Sequence, residues 1–214
     1  GDFTFVIWDD HKKKLLCCRD YLGHRPFFYY NSATAFIFAS EIKGLYALTD
    51  IPFEINDARV ADYLQLVVSN NEDTFYKEIY RLEPSTTLTI SGGQIKKRTY
   101  FSYEGIKPHK VFRQKEYALE LKEKLFEAVS CRLRTNSALG CELSGGLDSS
   151  AVACIARNIF SEEKKIYTYS ATYQTINSKY IKKVDEKEFQ ISVAKAYKFN
   201  QRSFDASWMS PLAD

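Results

Sequence analysis

Hydrophobic and polar positions change rhythm about halfway along the chain. Residues 3–8, 14–19, 26–30 and 35–39 are short apolar or alternating runs rich in aromatic side chains, each bounded by charged or small residues. That is the pattern of strands. The charged segment 9–13 between the first two runs, and residues 31–34 between the next two, predict two hairpins and a largely antiparallel sheet. Residues 40–45 read as a helical turn, and Asp57 stands where it would cap a helix over residues 58–67. Strands at 86–90 and 94–100, joined through Ser91-Gly92-Gly93, complete this half.

Between residues 101 and 115 the periodicity is lost, and Gly105 and Pro108 mark a linker. The boundaries expected are a first domain over 1–105, a linker over 106–115 and a second domain over 116–214. Beyond the linker Ala118, Leu121, Leu125, Ala128, Val129 and Leu133 recur at mostly three- and four-residue steps and predict one apolar helical stripe. A strand over 138–143, a helix over 151–157, a strand over 165–172 and a helix over 185–198 follow, the last with Phe189, Val193 and Ala194 inward. Strand, helix, strand, helix is the start of a parallel α/β sheet. Two parallel strands cannot bury both faces of a sheet, so the second domain is expected to be incomplete and to expose apolar surface.

The bulk of the chain narrows its class. It has 214 residues, 45% hydrophobic and 15% aromatic, enough for a core. A net charge of +3 with mixed signs gives no reason to expect nucleic acid, and Lys12-Lys13-Lys14 reads as a solvated hairpin tip. The five cysteines (Cys17, Cys18, Cys131, Cys141, Cys154) are odd in number, lack zinc-like spacing and mostly sit in apolar segments. Buried free thiols in a reducing compartment are expected, and with no membrane-spanning run or signal segment the location expected is cytoplasmic.

One segment carries chemistry. Ser144-Gly145-Gly146-Leu147-Asp148-Ser149-Ser150 stands between an expected strand and an expected helix. A strand that turns through two glycines into a helix offers several backbone N–H groups and the positive end of a helix dipole, which together make an anion site. No lysine lies between Leu143 and Ile159, so this is not a Walker loop. Instead Ser144, Ser149 and Ser150 can donate to phosphate oxygens, Gly145 and Gly146 let the backbone approach, and Asp148 can hold a magnesium ion. Such a device suits pyrophosphate as a leaving group. The plain alternative is a βα turn in which Asp148 or a serine only caps the helix. Gly92-Gly93 is a control: a strand follows it, and it is assigned to a hairpin turn.

Those seven residues resemble the pyrophosphate loop of the ATP pyrophosphatases. Residues 1–9, the string Arg19-Asp20-Tyr21-Leu22-Gly23-His24-Arg25-Pro26 with the aromatics after it, and Phe38-Ala39-Ser40-Glu41-Ile42-Lys43 are similar to successive landmarks of the glutaminase domain of the asparagine synthetase family. The loop and the helix before it then resemble that family's synthetase domain. The resemblance implies an α+β first part, an Ntn-hydrolase-like glutaminase fragment with antiparallel sheets. A parallel-sheet α/β domain of the adenine-nucleotide hydrolase type follows it.

The implied chemistry uses ATP and Mg2+. A substrate carboxylate attacks the α-phosphorus, pyrophosphate leaves, and an amine captures the acyl-adenylate. Asp148 would hold the metal, Ser144, Gly145, Gly146 and Ser149 would cradle pyrophosphate, and Leu143 with the backbone near Ala171 would line the adenine pocket. The implied partners are small molecules, aspartate with glutamine or ammonia, or a precursor peptide; a homodimer is left open. The family's N-terminal nucleophilic cysteine would precede Gly1, so glutamine hydrolysis is not expected of these residues alone, and mid-strand Cys17 and Cys18 have no free α-amine to replace it. The second phosphate-side loop would lie beyond Asp214. Two other outcomes stay open: internal amide closure, as in lasso-peptide cyclases and β-lactam synthetases, which Glu142, Gly140-Cys141 and the ending Ser210-Pro211-Leu212-Ala213-Asp214 resemble, and a non-catalytic nucleotide-binding remnant. His24 is expected to be a packed turn residue rather than a general base, since no carboxylate partner with fixed spacing can be named for it, and Arg19-Asp20 a structural ion pair. Asp185-Glu186 is read as a helix opening, with a substrate or metal role there left open.

Overall fold

Hairpins that are neighbours in the sequence are divided between two sheets. The computed structural model describes residues 1–48, 51–107, 113–160, 164–173 and 185–207. Part of the expected linker and the ending Ser210-Pro211-Leu212-Ala213-Asp214 lie outside the described residues. The chain separates into two compact units, Gly1–Pro108 and His109–Asp214.

The first unit contains strands β1 (Thr4–Asp9), β2 (Lys14–Arg19), β3 (Phe28–Asn31) and β4 (Phe36–Ala39), helices α1 (Ile42–Leu45) and α2 (Asp57–Leu64), and strands β5 (Ile79–Arg81), β6 (Thr86–Ser91) and β7 (Gln94–Thr99). One antiparallel sheet has the order β1-β2-β6-β7 and the other β4-β3-β5. The strand pattern read as one largely antiparallel sheet is divided into two, in line with the antiparallel sheets that the resemblance implied. The short β5, which has no turn signal of its own, completes the second.

Period-two alternation in β3 explains the arrangement. Phe27 and Tyr29 pack with Cys17, Leu82 and Leu88 between the sheets, whereas Phe28 and Tyr30 turn to the opposite side, towards Leu45, Ile51 and Ile79. A strand covered on both faces must be apolar where it is covered, and residues 27–30 are all aromatic before the exposed Asn31. Cys17 pairs with Leu88 across the first sheet, and burial, with Cys18 beside it, pushes its thiol up to about 12. It is a core residue and not a nucleophile. Gly92 and Gly93, with φ of 55° and 74°, form the two-residue hairpin between Ser91 and Gln94. The N-cap of α2 is Asn56, whose side chain accepts from the Arg59 N–H, so the cap lies one residue before the Asp57 expected, and the helix stops at Leu64.

Beyond β2 the chain is pinned by two buried charges. The Asp20 carboxylate accepts from the backbone N–H groups of Leu22, His24 and Arg25 at 3.2, 3.0 and 3.0 Å. Arg19 donates to the carbonyls of Arg25 and Leu82 at 2.8 and 2.6 Å, and to that of Gly23. Each charge is thus spent on backbone rather than in the ion pair expected. His24, for which spacing named no carboxylate, has two acidic neighbours: its Nδ1 lies 3.5 Å from Asp20 and 3.7 Å from Asp2. Burial alone would raise the Asp20 pKa, but the amides of Arg25, His24 and Leu22 bring it down to about 2. Gly23 adopts φ +69°, and a Cβ there would stand 2.9 Å from Pro84 Cγ and 3.0 Å from Arg19 Cζ.

The second unit contains α3 (Gln114–Ser130), β8 (Leu139–Glu142), α4 (Leu147–Ile159), β9 (Ile166–Thr172), α5 (Lys187–Ala196) and β10 (Asn200–Asp205). Its sheet is wholly parallel with the order β10-β9-β8, so the two strands expected become three. β10 escapes sequence reading because Asn200-Gln201-Arg202-Ser203 carries no apolar alternation. Leu143, Ala153, Ile166, Ala194 and Phe199 form the core beneath this sheet. The stripe on α3 is apolar only in part of its function: Val129 is buried with Ile155 and Ala156, while Leu121 and Leu125 are exposed. On α5, Phe189 is 65% exposed, and Gln190 takes the inward place instead. Cys131 is exposed, and all five cysteines are free. No helix among the described residues is long and apolar enough to cross a membrane.

Two outcomes follow for the first unit. Its folded-state pKa lies below the ordinary aspartate value of 3.8, so Asp20 contributes stability above about pH 4 that is lost as pH falls towards 2. Asp20→Asn should therefore unfold about 2 kcal/mol more easily at neutral pH, with the gap to wild type closing on acidification in urea titrations; a gap independent of pH refutes this role. Gly23→Ala should cost about 2 kcal/mol by the same measurement, from the positive φ and the contact with Pro84.

Candidate functional site

The chain leaves β8 at Glu142, passes through Leu143, Ser144 and Gly145, and enters α4 at its N-cap, Gly146. Leu143 is wholly buried, which anchors the start of the loop in the core. The reversal of direction falls on Gly145, whose φ is +98°. A Cβ there would lie 2.7 Å from Glu186 Cβ and 2.8 Å from the Glu186 carbonyl oxygen. Only glycine allows this loop to lie against the start of α5.

Hydroxyls hold the loop in shape. Ser144 Oγ and Ser149 Oγ are 2.8 Å apart, Ser144 N–H donates to Ser149 Oγ at 3.2 Å, and Gly146 N–H donates to Ser144 Oγ at 3.2 Å. The first intrahelical bond of α4 runs from Ser150 N–H to the Gly146 carbonyl, so the amides of Leu147, Asp148 and Ser149 precede the ladder. Asp148 is exposed in this first turn, and the helix has no side-chain cap bond. The plain alternative, in which the loop's polar side chains serve as N-cap, does not describe this helix.

Beside the loop, at the carboxyl ends of the parallel strands, lies a cavity of about 330 Å³ bordered by Glu142, Leu143, Ser144, Tyr169, Ala171, Tyr173, Glu186, Gln190 and Phe204. Open parallel sheets bind ligands at this end. The cavity brings together three residues expected from sequence, Leu143, Ser144 and Ala171. The rest of the set, Gly145, Gly146, Asp148 and Ser149, follows within the same loop. Ser150 Oγ is buried and without a partner among the described residues, so it does not face the cavity as the serines before it can.

Two contributors, Gln190 and Ser170, were not foreseen, and a third, Glu186, was named from sequence without an assigned role. Gln190 Nε2 donates to the carbonyls of Ser144 at 2.9 Å and Ala171 at 3.1 Å. Ser170 Oγ donates to the Leu143 carbonyl at 2.8 Å. Glu186, read as a helix opening, borders the cavity, with its Oε2 3.6 Å from where a Cβ on Gly146 would stand. A polar Gln190 between Phe189 and Val193 on an otherwise apolar helical face was the available signal. Among the described residues no group of three or more His, Cys, Asp or Glu is placed to hold a metal.

A larger cavity, about 780 Å³, lies in the first unit, walled by Phe3, Phe5, Phe27 and Phe38 with Arg25 and Glu41. It contains none of the residues singled out for phosphate chemistry. Burial raises the pKa values of Cys141 and Cys154, so neither thiol is primed as a nucleophile.

Comparison with known proteins divides the chain in the same way. Residues 1–101 match the glutamine amidotransferase domain model, and residues 120–207 match the asparagine synthase model. A putative glutamine-hydrolyzing asparagine synthetase 2 of Methanocaldococcus jannaschii is 34% identical over 178 residues, which is 81% of this chain and 34% of the relative. Glutamine-hydrolyzing asparagine synthetase 3 of Bacillus subtilis is 33% identical over 183 residues, 84% of this chain and 29% of the relative. The amidase chry2 of Gibberella zeae is 29% identical over 169 residues, 78% of this chain and 25% of the relative. The chain thus spans about a third or less of the length of these curated relatives. Two domain models in the family's order, together with relatives matched across four-fifths of its residues, establish that the chain belongs to the asparagine synthetase family.

Proposed function

We propose that this chain supplies the ATP site of a glutamine-dependent, asparagine synthetase-type ligase. The observation that carries this reading is the Ser144–Ser150 loop, which joins a parallel strand to a helix N-terminus at the mouth of a cavity of about 330 Å³. An oxygen of the acid substrate's carboxylate bonds to the α-phosphorus of ATP. The bond from that phosphorus to the bridging oxygen breaks, and pyrophosphate carries the electron pair away. Ammonia released from glutamine then displaces AMP from the acyl-adenylate. Aspartate is the acid proposed, following the names of the relatives.

Within this scheme Leu143 and Ala171 border the space for the base, and Ser144, Gly145, Gly146 and Ser149 surround the phosphates. The hydroxyls that now bond one another and the backbone would turn to phosphate oxygens, joined by the unladdered amides of the first α4 turn. Asp148 fits a magnesium ion: its carboxylate is exposed, is not consumed in capping, and stands beside the loop. Magnesium characteristically takes one or two carboxylates and completes its shell with phosphates and water, and its chemistry here is to offset charge on the departing phosphates. The aromatic cavity of the first unit belongs, in this proposal, to the glutamine-processing half. Five free thiols support a reducing, cytoplasmic setting.

In the full-length protein Asp148→Asn should abolish carboxylate-dependent exchange between ATP and labelled pyrophosphate while leaving the melting temperature within a few degrees of wild type. Near-normal exchange removes Asp148 from the mechanism. Gly145→Ala should abolish exchange as well, through the contact of its Cβ with Glu186; unimpaired turnover by this variant sinks the assignment of the loop.

A further inference from the structure

We propose that Gln190 is a positioning residue of the nucleotide site: it withdraws the Ser144 carbonyl oxygen from the phosphates, so that the loop presents donors to them. The inference rests on the ATP reading above and names the side chain that shapes that site.

Gln190 is 2% exposed, in a helix whose other inward residues are apolar. Its single amide nitrogen has two hydrogens, and two carbonyls take them, Ser144 at 2.9 Å and Ala171 at 3.1 Å. The reverse orientation of the amide would set three carbonyl oxygens against one another, so the hydrogen-bond network fixes which atom is nitrogen. One of these carbonyls belongs to the first residue of the loop and the other to β9 at the cavity wall. The side chain is therefore a strap across the cavity base, from the phosphate end to the strand beside it.

The strap is not what stability alone would select. Gln190 Oε1 is buried and has no hydrogen-bond partner among the described residues. An unmet acceptor of this kind is destabilising, and a buried polar group left so calls for an explanation outside packing. The explanation lies in the two donors. A carbonyl oxygen directed at a phosphate repels it, whereas a carbonyl committed to an N–H is fixed in direction and its dipole is partly offset. With Ser144 O held by Gln190, the Gly145 turn keeps its carbonyl side towards α5 and leaves the Ser144 and Ser149 hydroxyls and the first-turn amides of α4 for an anion.

Calorimetric titration of the full-length protein with α,β-methylene-ATP, which keeps the charge but cannot be split, and separately with adenosine, tests this. Gln190→Met fills the same space without donors and should weaken the ATP analogue about tenfold and adenosine far less. Gln190→Asn, one methylene short of spanning both carbonyls, should lose a few-fold in the same selective way, and it carries the test if the methionine variant does not fold. Equal losses for both ligands, or none for either, overturn the role of Gln190 while the ATP site stands. Failure of the wild-type protein to bind the analogue overturns the ATP site itself, and the strap with it.

Discussion

The second unit depends on a backbone turn that only a hydrogen atom at Cα permits. Gly145 sits at φ +98° with the Glu186 backbone and side chain under 3 Å from where a Cβ would be. Its absence of bulk lets the β8–α4 loop and the start of α5 touch, and the contact places Gln190 beneath the loop. From that placement follow the two bonds of its amide and the fixed direction of the Ser144 carbonyl beside the cavity. A side chain at residue 145 would part the loop from the helix and undo each step in turn.

The first unit meets a related demand with charge instead of a neutral amide. Beyond β2 the chain must turn where no sheet partner is available to residues 21–25. Asp20 satisfies three amides and Arg19 three carbonyls, so two adjacent side chains replace a ladder. Buried unpaired charge would be prohibitive, but a carboxylate that accepts three N–H groups is stabilised in its charged form, which is why its pKa falls despite burial. In both units the irregular segment is held by side chains that reach back to the main chain.

What the sequence discloses, and what it hides, divides along this line. Hairpins with turn residues at their tips were legible because alternation and turn chemistry are local; β2 and β6 fall within a residue of expectation. The strand–loop–helix form of residues 139–159 was legible for the same reason, since the glycines, hydroxyls and single acid of the loop are contiguous. The division into two sheets was not, because it depends on β3 being buried on both faces, and a continuous aromatic run does not say what covers it. β10 was missed because a strand at a sheet edge, with polar residues on its open face, carries no period. Gln190 was missed because its partners, Ser144 and Ala171, lie 46 and 19 residues away, and no spacing rule links them. On α5 the periodicity named Phe189 as inward, whereas the buried space there is shaped by carbonyls and admits an amide.

The choice of hydroxyls over a lysine has a physical consequence for how such a loop works. A lysine in a phosphate loop supplies a permanent positive charge, which attracts phosphate before and after reaction alike. Ser144 and Ser149 supply no net charge, and without ligand they satisfy each other and the amides of Ser144 and Gly146. Binding a phosphate then exchanges protein hydrogen bonds for hydrogen bonds to a charged acceptor, which are stronger, and strands little. The net gain is modest by construction, so in the function proposed the loop would be able to release a diphosphate once split from AMP. The stronger attraction would then fall to a magnesium ion bound with the phosphates, for which the exposed Asp148 carboxylate in the first turn of α4 would be sufficient protein ligand.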